Sequence, residues 1–162
     1  MNTKEYKNDI QNRIIESKKK EEKDNAKSSY KRIPVVHASF IKDKIKNGDI
    51  SLYLSKQNYD NHFFGTKDYQ RKMESRKLKG LAPQGALIIS QEEAQMIIND
   101  YSGTGIFKTQ KNGEILLTEK ISCDNIIGKH YDKGEWYYTN KAQIHYSKKG
   151  SHLVPIKGSD YD

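Results

Sequence analysis

The sequence predicts an α+β fold in which helices precede an antiparallel sheet. The clearest helix signal, "SQEEAQMIINDYSGTG" from residue 90 onward, lies beyond the middle of the chain. Six short strand-like segments follow it in pairs, and turn signals separate the members of each pair. This pattern is typical of antiparallel hairpins and not of parallel strands joined by helices.

The chain divides into a tail, a compact domain and a short end. Residues 1–32 are almost free of large apolar groups, and "SKKKEEK" places Glu and Lys at helical spacing, so we predict a charged helical or flexible tail. Compact structure is predicted from 33 to 158, with a flexible C-terminus at 159–162. After Pro34 we expect an extended piece and then a short helix that ends at Asn47.

The middle of the chain carries one strand-like segment and two helical regions. "ISLYL" (50–54) alternates as a strand does, whereas residues 54–80 are polar and basic and predict a loop that leads into a short helix. In the next helix Ser90 and Glu93 form a capping box, and Gly103 ends the helix.

The predicted strands come in three pairs. "GIFKTQ" and "EILLTEKI" flank an Asn-Gly turn at 111–113, and "IIGKHY" and "EWYYTN" flank a turn at 132–134. "KAQIHY" and "HLVPI" lie on either side of Gly150.

Composition limits the function classes. A net charge of +8 and a pI near 9.3 favour a polyanion or an acidic protein as partner, and a hydrophobic content of 34% predicts a modest core. The single cysteine, Cys123, excludes an intramolecular disulfide and a CxxC zinc site. Neither a long apolar run nor a signal peptide is visible, so we expect no membrane contact and either a reducing compartment or delivery by other machinery.

Several enzyme classes lack their motifs here. There is no Walker loop, "GTG" at 103–105 follows a helix where a dinucleotide motif would precede one, and no HExxH or carboxylate cluster predicts a metal centre. We therefore expect no metal and no cofactor. Histidine and lysine in a basic chain remain. Metal-free RNA cleavage needs a base, an acid and a cation near the phosphate, which these side chains supply.

The stretch "IHYSKKGSHLVP" (144–155) is the first candidate site. In an extended chain His145, Ser147 and Lys149 share one face, and Gly150 allows the chain to turn so that His152 approaches His145. The alternative is a polar edge strand whose histidines are structural.

Residues 56–69 are the second candidate. His62 and Lys56 are expected to face the first stretch, and the aromatic side chains of this segment suit base stacking. The alternative is a surface loop whose aromatic residues anchor it to the core.

The motifs "KQ…H…GT..Y", "YSGTG", "NGE" and "IHYSKKGSHLVP" together resemble the bacterial polymorphic toxin type 50 domain over residues 45–158. That domain commonly ends phage head-morphogenesis (MuF-like) and related effector proteins. The resemblance implies a ribonuclease-like domain of the barnase–EndoU–colicin–RelE (BECR) fold, with a curved antiparallel sheet and metal-independent cleavage. Asn61 departs from the family, which places a lysine directly before the histidine.

The resemblance also implies roles for particular residues. The catalytic set, with base and acid unassigned, is His145, His152, His62 and Lys148. The substrate-binding set is Lys56, Gln57, Thr66, Tyr69, Thr104 and Ser147. Our main hypothesis is an endoribonuclease toxin that acts by 2'-OH transesterification on RNA in the cytoplasm of a target or host bacterium.

Such a toxin implies two further features. It requires an acidic immunity protein in the cell that makes it, and it implies delivery from a phage particle or a secretion system. The alternative hypothesis is a non-catalytic nucleic-acid-binding phage or mobile-element protein on the same scaffold. A toxin with other chemistry ranks last, because the Arg and Glu placements of ADP-ribose transfer are not recognisable.

Overall fold

The computed structural model describes residues 35–161, and the tail predicted at 1–32 lies outside them. Within this range the helices are α1 (Val35–Lys46), α2 (Lys56–His62), α3 (Lys67–Leu78) and α4 (Gln91–Tyr101). The strands are β1 (Ala86–Leu87), β2 (Ile106–Thr109), β3 (Ile115–Ser122), β4 (Gly128–Asp132), β5 (Glu135–Thr139), β6 (Lys141–His145) and β7 (His152–Pro155). The predicted α+β class is confirmed.

The strands form two antiparallel sheets where the sequence predicted one. β2-β3-β6-β7 make a four-stranded sheet, and β1-β4-β5 make a three-stranded sheet. The division occurs between the pairs Ser122–Lys141 and Gly128–Thr139, where residues 123–127 face only Asn140 on the partner strand. This unequal spacing interrupts the backbone hydrogen bonds between the paired strands, and β4 and β5 continue as part of the second sheet.

A glycine lets the two sheets approach each other. A Cβ atom on Gly128 would lie 2.5 Å from the Ala86 carbonyl oxygen and 2.6 Å from Cγ of Pro155. Because Pro155 ends β7 and Ala86 begins β1, any larger side chain at 128 would force the sheets apart. The edge of the four-stranded sheet therefore meets the three-stranded sheet at this glycine.

The core lies on one face of the four-stranded sheet. Ile121, Ile144 and Leu153 are fully buried there, together with Ile98 from α4. The helix predicted from residue 90 is confirmed with its capping box, in which the Glu93 N–H donates to the Ser90 hydroxyl oxygen at 3.1 Å. Since strand side chains alternate, the neighbours of Ile144 and Leu153 face away from this core.

Three of the predicted segments differ from the structure. Residues from Val35 are already helical, where an extended piece was predicted. Residues 50–54 form isolated bridges from Ser51 to Ser147 and from Leu54 to Ser151 instead of a strand. The segment at 56–62 is a helix and not a loop.

Tertiary contacts explain the helix at 56–62. Its N-cap is Ser55, and the buried Tyr59 hydroxyl donates to the Ile89 carbonyl oxygen at 2.7 Å. These contacts stabilise a helix of seven residues, which is too short to be stable alone.

The C-terminal residues pack on the sheet. A 3-10 turn spans Gly158–Asp160, and Tyr161, which the sequence analysis placed in a flexible end, is buried with the Lys141 ammonium 5.0 Å from its ring centroid. Among the residues 35–161, no helix combines the length and the apolar character needed to cross a membrane.

Candidate functional site

His145 and His152 lie directly opposite each other on β6 and β7. Their ring centroids are 4.9 Å apart, and the ring planes are inclined by 11°. Because Ile144 and Leu153 form the neighbouring pair on the core face, both histidines occupy the opposite face of the sheet, as predicted. Gly150, with φ +135°, provides the backbone conformation of the turn between the two strands.

His62 extends this pair to a stack of three rings. It is the last residue of α2, which packs beside the edge strand β7. Its ring centroid lies 5.5 Å from that of His152 at an inclination of 13°. The stack therefore runs in the order His145, His152, His62, and the buried end is His62 with 9% of its surface exposed.

A glutamine orients the inner histidine. Nε2 of Gln84 donates to the Asn61 carbonyl oxygen at 3.0 Å and lies 3.4 Å from Nδ1 of His62. An amide nitrogen is a donor, so Nδ1 accepts and the ring proton of neutral His62 resides on Nε2. The Tyr69 hydroxyl in turn donates to the Gln84 carbonyl oxygen at 3.1 Å and holds this segment in place.

All three imidazoles are held below their usual pKa. Burial lowers the pKa of His62 to about 3, with added repulsion from His152, Lys72 and His145. Burial lowers the pKa of His152 to about 4, with added repulsion from His145 and Lys72. Burial alone lowers the pKa of His145. The three rings therefore favour the neutral form at pH 7, and a proton on one ring disfavours protonation of its neighbours.

Lys72 on α3 is the lysine whose charge acts on the stack, and it was not among the predicted site residues. Its charge acts on both His62 and His152. The signal in the sequence was its spacing of three residues from Tyr69, which places both on neighbouring positions of one helix face. The lysines that were predicted lie elsewhere: Lys56 pairs with Asp60 at 2.9 Å, and Lys148 lies at the exposed tip of the β6–β7 turn.

Several predicted substrate-binding groups are engaged in local structure. Gln57 is exposed on α2 and donates to the Asn61 side chain at 3.3 Å. The Thr66 hydroxyl caps α3, because it accepts from the Tyr69 N–H at 3.1 Å and donates to the Phe63 carbonyl oxygen at 2.9 Å. The Tyr69 ring is buried and positions Gln84.

The two remaining predicted hydroxyls also bond to backbone. Ser147 is exposed in the turn, where its Oγ accepts from the Lys149 N–H at 3.2 Å. The Thr104 hydroxyl donates to the Tyr101 carbonyl oxygen at 2.6 Å behind α4. Their predicted contacts to phosphate stay predictions.

The "GTG" motif encloses a buried carboxylate that the sequence did not reveal. Glu119 on β3 is fully buried; its Oε1 accepts from the Gly103 N–H at 2.9 Å and its Oε2 from the Gly105 N–H at 2.6 Å. The Tyr146 hydroxyl donates to Oε1 at 2.6 Å. Glu119 thus satisfies the loop donors that would otherwise be available to an external anion.

The histidine stack is chemically suited to moving protons. The three rings are nearly parallel, and Thr118 on β3 lies opposite His145. Among the residues that the structure describes, no group of three or more His, Cys, Asp or Glu side chains is placed to hold a metal ion. Neutral imidazoles arranged this way can accept a proton at one ring and donate one from the next.

Comparison with known proteins gives one result for the chain. A family model described as bacterial toxin 50 matches residues 54–155, which is well over half of the chain and includes α2 to β7. All three stacked histidines lie inside the matched range. No curated protein and no solved structure matches the chain.

Proposed function

The chain belongs to the bacterial toxin 50 family, and from that premise we propose that it is a metal-independent endoribonuclease toxin that cleaves RNA by attack of the ribose 2'-OH. The observation that supports the proposal is the stack of His145, His152 and His62 beside the charge of Lys72. The net charge of the chain, +8, suits a polyanionic substrate.

In the proposed step His152 is the base and His145 is the acid; the reverse order is the alternative. His152, whose pKa is about 4, is neutral and accepts the proton of the 2'-OH. The 2'-oxygen then bonds to phosphorus, and the bond from phosphorus to the 5'-oxygen breaks. His145 gains a proton when the negatively charged phosphate binds beside it, and it donates that proton to the leaving 5'-oxygen. The products are a 2',3'-cyclic phosphate and a 5'-hydroxyl end.

The stacked arrangement keeps the charge of the pair constant during this step. One ring gains a proton as the other loses one, so the two imidazoles 4.9 Å apart are not charged together. Lys72 adds a cation that attracts the phosphate and offsets the negative charge that accumulates on its oxygens. His62 positions the central ring from behind and, because it is buried, does not exchange protons with the substrate.

A cleaving enzyme of this kind would damage the cell that makes it. We therefore include in the proposal an acidic immunity protein that covers the basic surface of the toxin, since opposite charge speeds association. Delivery to a target bacterium from a phage particle or a secretion system follows the same reasoning and remains part of the proposal.

The test is incubation of the purified protein with RNA in excess EDTA, followed by analysis of the new ends. We expect 2',3'-cyclic phosphate and 5'-hydroxyl ends, and a loss of about 10²–10⁴-fold in rate for either His145→Ala or His152→Ala. The matched control is His130→Ala, because His130 stacks on Tyr137 in the other sheet. This variant should cleave at the wild-type rate.

A second measurement separates catalysis from binding. The affinity of His145→Ala and His152→Ala for an RNA without a 2'-OH nucleophile should stay within a few-fold of wild type. RNA that is bound but left intact between pH ~5 and ~8, where histidine titrates, would instead indicate the non-catalytic nucleic-acid-binding protein.

A further inference from the structure

A separate groove, which none of the three stacked histidines lines, is formed in part by α3. Its volume is about 390 Å³, and it runs between α3 and the β4–β5 hairpin. Its lining includes Phe64, Met73, Lys77, Lys129 and Trp136. Trp136 is 41% exposed, so its ring is accessible to a ligand in the groove.

A lysine lies between two aromatic rings at this groove. Nζ of Lys129 is 4.9 Å from the ring centroid of Phe64 and 4.8 Å from that of Trp136. Burial lowers the pKa of Lys129. Within residues 35–161 no ion pair joins this ammonium to a carboxylate, although Glu74 lines the same groove, and the two ring faces contribute to its stabilisation. A partly desolvated donor between flat apolar faces suits a ligand that is itself flat and carries acceptor oxygens on its edge.

We propose that this groove binds an unpaired nucleobase of the RNA, stacked on Trp136 and hydrogen-bonded by Lys129. Choosing RNA as the ligand rests on the proposed function. Unstacked bases are recognised on aromatic side chains and through hydrogen bonds to their edges. Guanine presents two adjacent acceptors, O6 and N7, to a lysine, whereas adenine places an amino group beside its N7. The groove therefore prefers guanine to adenine.

The groove and the histidine stack are connected through two side chains. Tyr69 lines the groove, and its hydroxyl donates to the Gln84 carbonyl oxygen at 3.1 Å. Gln84 in turn reaches His62. On α3, Lys72 acts on the histidines while the next residue, Met73, lines the groove. One RNA strand that crosses α3 can thus place a phosphate at the stack and a neighbouring base in the groove.

The test uses the fluorescence of Trp136, which is the single tryptophan of the chain. Short 2'-O-methyl RNA oligonucleotides, which have no nucleophile and are not cleaved, are titrated onto the full chain. We expect saturable quenching, and an oligonucleotide with one guanine among adenines should bind about 5–150-fold tighter than the all-adenine one. Lys129→Met should remove this preference and retain the weaker binding.

A second variant gives a readout on cleavage. Trp136→Leu should raise KM for RNA by about 5–150-fold, the range for loss of one stacked base, with kcat within a few-fold of wild type. Tyr53→Leu is the control, because Tyr53 is 82% exposed and lines a different groove. Absence of quenching, or equal affinity of wild type and Lys129→Met for the guanine oligonucleotide, would overturn the proposal.

The outcomes distinguish this inference from the proposed function. Quenching and guanine preference without cleavage of ordinary RNA would support the base site and remove the ribonuclease. Cleavage with the expected ends but with Trp136→Leu at wild-type KM would keep the ribonuclease and overturn the base site. In that case binding of an acidic protein at the groove becomes the alternative, checked by the same two variants.

Discussion

Glu119 and the histidine stack lie on opposite faces of the four-stranded sheet, and they differ in how their polar groups are satisfied. Glu119 pairs in register with Ile144 on the core face, and its carboxylate accepts from two glycine N–H groups and the Tyr146 hydroxyl. On β6, His145 follows Ile144 and therefore lies on the opposite face of the sheet, where it stacks on His152.

The difference distinguishes a polar cluster whose hydrogen bonds are satisfied internally from the one to which we assign the proposed function. The carboxylate of Glu119 has at least one N–H donor on each oxygen, so it contributes to loop geometry and has little capacity left for a ligand. The stacked imidazoles contact each other mainly through their faces and keep low pKa values through burial and mutual repulsion. Strongly shifted titratable groups that lie partly open to solvent are typical of active sites.

The largest expected effect on stability comes from Glu119→Gln. One amide nitrogen would replace an acceptor and face a backbone N–H, which leaves a buried donor unsatisfied. We expect the free energy of unfolding to fall by about 2–4 kcal/mol in urea denaturation. The exposed Glu114→Gln is the matched control and should stay within about 0.5 kcal/mol. An equal effect in both variants would contradict the structural role of Glu119.

Acid should destabilise the protein through the histidines. The folded pKa values of about 3 for His62 and about 4 for His152 lie below the unfolded value of 6.5. Between these limits the unfolded state binds more protons, so stability is complete above pH 6.5 and falls as the pH falls. At about 1.4 kcal/mol per pKa unit, each histidine contributes up to about 2 kcal/mol of loss between pH 7 and 5.

The variant His62→Gln isolates the contribution of His62 to the loss of stability in acid. The glutamine cannot titrate, so unfolding free energies of this variant should decline less steeply than those of the wild type over the same pH range. Urea denaturation at several pH values measures both slopes. Identical slopes would mean that His62 titrates normally in the folded protein.

A smaller effect on stability is expected at Thr66. Its hydroxyl caps α3, and Thr66→Ala removes this cap at a cost of about 1 kcal/mol in the free energy of unfolding. Cleavage should stay within a few-fold of the wild-type rate, because the hydroxyl is engaged by backbone groups. A large loss of activity at unchanged stability would restore the phosphate-binding role that the sequence predicted.

The smallest effect concerns the pKa values of the stack. Lys72→Met removes a positive charge that repels protonated His62 and His152, so both pKa values should rise. The rise should be a fraction of a unit, since solvent screens an exposed lysine. Titration of the histidine ring resonances by NMR measures it. Lys148→Met is the control on the β6–β7 turn and should leave both values in place.

The sequence predicted well the features that depend on residues close together in the chain, and it predicted poorly those that depend on tertiary packing. The Ser90 capping box, the turn at 111–113 and the facing of His145 and His152 across a turn at Gly150 all depend on residues close together in the chain. Glu119 depends on burial by α4 and the following loop, and a lone glutamate in an alternating strand gives no sign of it. The spacing of Lys72 from Tyr69 was a weak signal, and its effect on the histidines depends on the packing of α3 beside α2.

The dependence on tertiary contacts also explains why α2 and the second sheet were not predicted. α2 has only Tyr59 and His62 buried, which is too weak a periodicity to predict a helix. The division of the sheet depends on five residues at 123–127 that face Asn140, and unequal strand lengths of this kind cannot be read before the register is known.

A double-mutant cycle on His145 and His152 tests the central claim that the stacked rings act together in RNA cleavage. Single-turnover cleavage in EDTA would be measured for the wild type, both alanine variants and the double variant. We predict losses of about 10²–10⁴-fold for each single variant and no more than about tenfold further loss for the double variant. A double variant whose loss equals the product of the single losses, or a wild type that leaves RNA intact, would contradict the claim.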